Sequence, residues 1–285
     1  MVLQRLHSLH TLQCYIDYIH YIHYNHSGSG LMKKNTDIVD DFVAQPCAGE
    51  LRLLYQHPDF LLIEKPSGLL SLSGKNPLNW DSVHYRLLQG RVLAVAGKAD
   101  IDTSPPAVFP SSVFPRIAFP TATLVHRLDF GTSGIMLVAL NKQANSALAK
   151  QFQARTVDKR YIALLEGHLA QDQGTIELPI ARDSPNFPRQ KICFDTGKPA
   201  RSDYQVIERF APPQHCRVRF TPETGRSHQL RIHSLALGHP ILGCDLYRSE
   251  TSEQLAPRLM LHAEELHFDD PNSGERIKGK SCCPF

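Results

Sequence analysis

Apolar positions fall into short blocks with two different periods. Leu51 to Tyr55 and Phe60 to Ile63 are compact apolar runs split by His57-Pro58-Asp59, which predicts two strands joined by a turn. Glu64 to Gly68 follows as a constrained loop. The spacing of Val83 and Leu87 predicts a short helix over Asp81 to Gln89, stopped by Gly90. Ile135 to Leu140 is uninterrupted and suits a buried strand. Asn141 then reads as an N-cap, because Ala144, Leu148 and Phe152 recur at the spacing of one helix face. Tyr161 to Leu165 predicts another strand. Val218 and Phe220 alternate with Arg217 and Arg219, so a strand there turns apolar groups to one side and cations to the other. A helix is expected from Ser227 to Leu237, ended by Gly238-His239-Pro240. Strands and helices mix without regular βαβ repetition, which predicts an α+β fold.

Two stretches break this pattern. Tyr15, Tyr18, Tyr21 and Tyr24 recur every third residue among Ile16, Ile19, Ile22 and His20, His23, His26, a period that suits neither helix nor strand. Residues 1–50 are therefore expected to be a flexible extension, or in part translated sequence upstream of a start at Met32, ahead of one domain over 51–285. Residues 91–123 contain Pro105, Pro106, Pro110, Pro115 and Pro120, which predicts a surface insertion.

Composition narrows the class. With 285 residues, 42% of them hydrophobic and 21% charged, the chain can bury a core without disulfides and is not a disordered polymer. The seven cysteines are scattered with no CxxC pair, which points to a reducing compartment and away from a zinc ribbon. No apolar run approaches the ~18 residues a membrane span needs, and the start lacks a signal-peptide pattern. A net charge of +3 alone decides little. Its distribution decides more: residues 124–168 hold six Lys/Arg against three Asp/Glu, 182–201 five against two, and 217–231 four against one. These segments predict a basic surface on a nearly neutral protein, the footprint of a nucleic-acid partner.

The same segments carry the candidate chemistry. They contain His126-Arg127-Leu128-Asp129-Phe130-Gly131-Thr132-Ser133-Gly134, then Lys159-Arg160-Tyr161, then Thr224-Gly225-Arg226-Ser227-His228-Gln229-Leu230-Arg231-Ile232-His233, which runs on to Gly238-His239-Pro240-Ile241-Leu242-Gly243. Lys65-Pro66-Ser67-Gly68 precedes them. Taken singly, these residues leave several readings open. Asp129 could be a turn carboxylate, Arg231 a surface helix cation, Tyr161 a core strand residue, and Arg127 a phosphate contact. His228 and His233 are five apart, which does not align them as metal ligands on a helix.

In this order the motifs resemble those of the RNA pseudouridine synthases, in the branch typified by the bacterial large-subunit ribosomal enzyme A, of dual rRNA/tRNA specificity. The resemblance spans about Leu51 to Phe285, apart from the 91–123 insertion. It implies a two-part, mainly antiparallel mixed sheet with a central catalytic cleft, and isomerisation of uridine to pseudouridine without cofactor, metal or obligatory protein partner. Asp129 matches the family's nucleophilic carboxylate and Arg231 the guanidinium that orients it. Tyr161 matches the aromatic residue that stacks on the target base, and Arg127 the residue that replaces the flipped nucleotide. Residues 182–201 offer Arg182, Phe187, Arg189, Lys191, Lys198 and Arg201 as a clamp on a structured RNA loop, with Arg226 at the start of the last motif. The substrates implied are 23S rRNA and the tRNA anticodon stem-loop, in the cytoplasm and away from membranes. One departure stands out: Gly243-Cys244-Asp245-Leu246-Tyr247 has Cys where the family pattern Gly-Asp-x-x-Tyr has Asp, and Asp one position later. Two rivals are an RNA-binding module without catalysis and a nucleoside hydrolase or glycosidase. The latter needs a second carboxylate to manage water, and no partner for Asp129 is marked.

Overall fold

The computed structural model describes residues 42–94 and 116–285. The histidine-rich leader and the centre of the proline-rich segment lie outside the described residues. β1 (Leu51–Gln56) and β2 (Phe60–Lys65) form the expected antiparallel pair. The strand runs two residues further than expected, because Glu64 and Lys65 continue the ladder to β5. α1 (Val83–Leu88) is capped by the Ser82 hydroxyl, which accepts from the Tyr85 amide at 3.1 Å, and buries Val83 and Leu87 completely. β3 (Val92–Ala94) and β4 (Thr123–Leu124) lead to β5 (Ser133–Ala139), which is buried throughout. Asn141 caps α2 (Lys142–Ala154) through the Ala144 amide at 2.8 Å, and Ala144 and Leu148 enter the core as their spacing requires.

The remaining elements are β6 (Asp158–Glu166), β7 (Gln173–Glu177), β8 (Ile180–Arg182), β9 (Gln190–Ile192), β10 (Arg201–Phe210), β11 (His215–Pro222), α3 (Gln229–Ala236), β12 (Leu261–Asp269) and β13 (Arg276–Lys280). α3 starts two residues later than expected because His228 takes a left-handed conformation, φ 56°. Val218 and Phe220 are fully buried while Arg217 and Arg219 face the other way, as their alternation predicts.

One sheet joins eleven strands in the order β3-β1-β2-β5-β12-β6-β11-β10-β7, with β4 on β5 and β13 on β12. β8 and β9 form a separate hairpin. The ladders are antiparallel except β1–β3 and the short β5–β12 junction, where His262 and Ala263 meet Ser133 and Gly134. That junction explains the glycine of Thr132-Ser133-Gly134. Gly134 has φ 118°, and a Cβ there would sit 2.2 Å from the Ala263 carbonyl oxygen. A first core gathers β1, β2, β5, α1 and α2; a second gathers β6, β11, α3 and the start of β12; Tyr161 packs against both. The fold is thus α+β, a mixed and mostly antiparallel sheet in two parts.

Contacts at the two segment boundaries add to the picture. Residues 42–50 carry no helix or strand, yet they are fastened to the domain. Asn79 accepts from the Ala44 amide and donates to the Phe42 carbonyl, both at 2.7 Å, and Arg86 holds the Cys47 and Gly49 carbonyls. The ends of the 91–123 segment likewise belong to the core. Val92 is fully buried, Phe119 and Ala122 nearly so, and Arg116 bridges Leu93. Apolar residues at the rims of a proline-rich stretch find partners that the local pattern does not display.

Candidate active site

The loop between β4 and β5 presents Asp129. Its neighbours are gripped in turn. Leu128 is buried, its amide donates to the Ser71 hydroxyl at 3.1 Å, and its carbonyl accepts from that hydroxyl at 2.7 Å. The Phe130 carbonyl accepts from Lys65 Nζ at 3.1 Å and from the Gly68 amide at 2.9 Å, and the Gly131 carbonyl accepts from Ser67 Oγ at 2.6 Å. The Lys65-Pro66-Ser67-Gly68 segment therefore staples the carboxylate's loop from beneath. Lys65 is fully buried, and burial brings its pKa down to about 7 despite the opposing pull of Cys47 and Asp129. An uncharged amine still donates both bonds, the second to the Pro66 carbonyl at 2.9 Å. Sequence reasoning matched this segment to the family but assigned it no task; the signal was a lysine inside an apolar strand end.

His126, at the head of the loop, is structural. Its Nε2 accepts from the Leu137 amide at 2.9 Å and its ring stacks on Phe152. Burial, with Lys159 nearby, lowers its pKa to about 3, so it stays neutral. His233 is buried between Ser202 and the Leu178 carbonyl. Among the described residues no three His, Cys, Asp or Glu side chains converge as metal ligands.

Asp129 shares one cleft with Arg127, Lys159, Tyr161, Arg226 and Arg231. Tyr161 and Lys159 rise from β6. Burial and the Asp129 charge both push the Tyr161 phenol well above its ordinary pKa, so it remains protonated at neutral pH. Lys159 is a cleft residue that sequence reasoning quoted only as part of a motif; its spacing two before Tyr161 puts it on the same strand face. Arg127 is exposed, and its Nη2 donates to Ser227 Oγ at 3.1 Å from the other motif. That second motif is knitted by Gln229, which accepts from Thr224 Oγ1 and the Arg226 amide and donates to the Arg201 carbonyl and Ser202 Oγ. The knot fixes the start of α3 and so the bearing of Arg231.

Arg231 is 4% exposed. Its expected partner was Asp129, but its hydrogen bonds go elsewhere: Nη2 donates to Asp245 and, at 3.3 Å, to Cys244 Sγ, and the guanidinium lies over Tyr247 at 5.3 Å. Burial opposes its charge, yet Cys244, Asp245 and Asp129 outweigh that and hold its pKa above the ordinary value. Its Nε is buried without a hydrogen-bond partner among the described residues. Asp245, one residue late for the family pattern, occupies the counter-ion position.

The 182–201 cations separate into two groups. Arg182, Arg189, Lys191 and Lys198 are exposed on or beside the β8–β9 hairpin, with Phe187 58% exposed among them. Arg201 is different. It sits on β10 between Glu177 at 2.5 Å, Glu223 at 2.9 Å and Asp203 at 3.7 Å, so its guanidinium is paired with surface carboxylates. None of these hairpin residues lines the Asp129 cleft; Arg226 does.

A carboxylate with aromatic and cationic walls, set at the junction of a two-part mixed sheet, defines an enzyme that works on a nucleic acid. A family model described as RNA pseudouridylate synthase matches residues 119–236. The chain is 44% identical over 233 residues to the dual-specificity RNA pseudouridine synthase RluA of Yersinia pestis, covering 82% of this chain and 99% of the relative. It is 40% identical over 235 residues to the protein of the same name from Escherichia coli K12, covering 82% and 94%. Among solved structures, human RNA pseudouridylate synthase domain containing 1 superposes with a TM-score of 0.61 at 29% identity, covering 85% of this chain and 87% of that one. The chain belongs to the RNA pseudouridine synthase family, whose reaction is isomerisation of uridine to pseudouridine in RNA. No helix among the described residues is long and apolar enough to cross a membrane.

Proposed function

We propose that Asp129 is the nucleophile of a site-specific uridine isomerisation in structured RNA, with 23S rRNA and the tRNA anticodon stem-loop as substrates. The observation that carries this reading is the Asp129 carboxylate in a cleft shared with Tyr161 and Arg231, on a loop pinned at residues 128, 130 and 131. The carboxylate attacks the ribose as the bond from C1′ to N1 breaks, or stabilises the cationic sugar that this break creates. The uracil turns, C5 bonds to C1′ as any bond from C1′ to the Asp129 carboxylate breaks and frees the carboxylate, and the C5 proton leaves while N1 gains one. Tyr161 stacks on the base and retains it. Its high pKa makes it a donor, not a resting base. Arg231 completes the electrostatic frame, and its unpartnered Nε supplies a donor for charge that develops in the cleft. Arg127 fills the stack vacated by the flipped uridine, offsetting a cost of about a few kcal/mol.

Arg182, Phe187, Arg189, Lys191, Lys198, Arg201 and Arg226 grip the RNA through phosphates and one exposed ring. The chemistry belongs to the domain over residues 51–285, and residues 1–50 take little part in catalysis. An rRNA and tRNA substrate places the work in the cytoplasm, which the unpaired thiols of the described cysteines support. The test is to map uridine isomers in total RNA treated with and without the protein. New pseudouridines retained in rRNA and tRNA are expected; free uracil in their place would turn the assignment toward a glycosidase.

A further inference from the structure

The hairpin that grips RNA and the arginine that frames Asp129 lie on different elements, yet one side chain touches both. Tyr247 is 4% exposed. Its hydroxyl accepts from the Gln190 amide at 2.6 Å, between the exposed Arg189 and Lys191 on β9. The same oxygen lies 2.8 Å from His228 Nδ1. Burial lowers the His228 pKa and favours the neutral ring, so the Tyr247 hydroxyl links the Gln190 amide to an imidazole at the head of α3. His228 heads α3, and two positions past Gln229 comes Arg231, whose guanidinium lies over the Tyr247 ring. The backbone joins the same set: the Tyr247 amide donates to Cys244 Sγ at 3.4 Å, the sulfur that also receives Arg231 Nη2. Gly243 permits this turn, since a Cβ there would collide with the Arg258 carbonyl.

We infer that Tyr247 is a positioning residue that couples the grip of the β8–β9 hairpin on RNA to the setting of Arg231. The inference rests on the roles given above to the hairpin and to Arg231. A shift of β9 on docking RNA moves the Gln190 amide, and the hydroxyl bound to it carries the ring beneath the guanidinium. α3 also touches β9 directly. Asp245 and Cys244 hold the other side of Arg231, which confines it to a narrow range of positions.

The test compares wild type, Tyr247→Phe, the double variant Arg189→Ala/Lys191→Ala, and all three substitutions together. For each, the single-turnover rate at saturating anticodon stem-loop and the dissociation constant are measured. Y247F keeps the ring and loses both hydrogen bonds, so its rate should fall about 5- to 30-fold with affinity within about twofold of wild type. The hairpin variant should lose affinity and also some rate. In the triple variant the affinity loss should persist, while the rate should fall no more than about twofold below that of Y247F, because the route to Arg231 is already cut. Rates that multiply as independent factors, or a Y247F rate equal to wild type, would overturn the coupling. A merely structural hydroxyl would lower the melting temperature without this non-additivity, so thermal unfolding of Y247F is read alongside. A wild-type protein with no turnover would contradict the anticodon stem-loop as a substrate; turnover in wild type with additive rates contradicts the coupling alone.

Discussion

The two walls of the cleft hold their functional side chains by opposite means. On the Asp129 side, grip is on the backbone: Ser71, Ser67, Gly68 and Lys65 bind the main chain of residues 128, 130 and 131, leaving the carboxylate free to react. On the Arg231 side, grip is on the functional group itself, through Asp245, Cys244 and the Tyr247 ring. A nucleophile has to keep its lone pairs, whereas a framing cation has to keep its direction. The first wall thus leaves its carboxylate unencumbered, while the second ties Arg231 through Tyr247 to the Gln190 amide of β9.

The sharpest break between the walls is Asp129→Asn. The amide keeps the shape and loses the charge, so turnover should fall by at least about ten-thousand-fold with RNA binding nearly intact. Arg231→Ala comes next, with a fall of about a hundredfold that persists at saturating RNA. An effect confined to KM would mean that Arg231 only binds. Tyr161→Ala should cost about 30-fold through the absence of stacking and Tyr161→Phe only about threefold; equal, severe effects in the two would assign the hydroxyl an essential proton or hydrogen-bond role.

Lys65→Met probes the Asp129 wall through stability. The native pKa of Lys65 lies below its unfolded value, near 7 against 10.5, so between those values the unfolded chain holds a proton that the native one lacks. Stability should therefore rise with pH across that window, and K65M should flatten the rise. Denaturant unfolding at pH 7 and pH 10 reads this, and an unchanged slope would mean that Lys65 is not buried as described. The smallest effect belongs to the hairpin: R189A/K191A should make the salt dependence of RNA binding shallower by about two units of slope, one for each phosphate left without its cation.

Legibility in the sequence followed the range of the interactions. The β1–β2 pair, α1, β5 and α2 declared themselves by period and cap, since their signals lie within a few neighbours. β12 did not, for its bulge between Ala263 and Glu265 shifts the inward set from Leu261 and Ala263 to Leu266 and Phe268 and breaks the alternation. In the site, ordered motifs revealed Asp129, Tyr161 and Arg231 as cleft residues. They did not reveal that Arg231 turns to Asp245, that Arg201 is paired with three carboxylates, or that Lys65 supports the loop. Each of those facts is a side-chain interaction between distant segments, which residue type and local spacing do not encode.

The division of labour between the Asp129 cleft and the β8–β9 hairpin is tested most directly by measuring the saturating single-turnover rate and the RNA dissociation constant for D129N and R189A/K191A side by side. D129N should lose its rate and keep its affinity within about threefold, while the hairpin variant should bind about tenfold more weakly and keep its saturating rate to within about tenfold of wild type. A D129N protein that turns over near the wild-type rate, or one that fails to bind while the hairpin variant binds normally, would contradict the placement of chemistry at Asp129 and recognition on the β8–β9 hairpin.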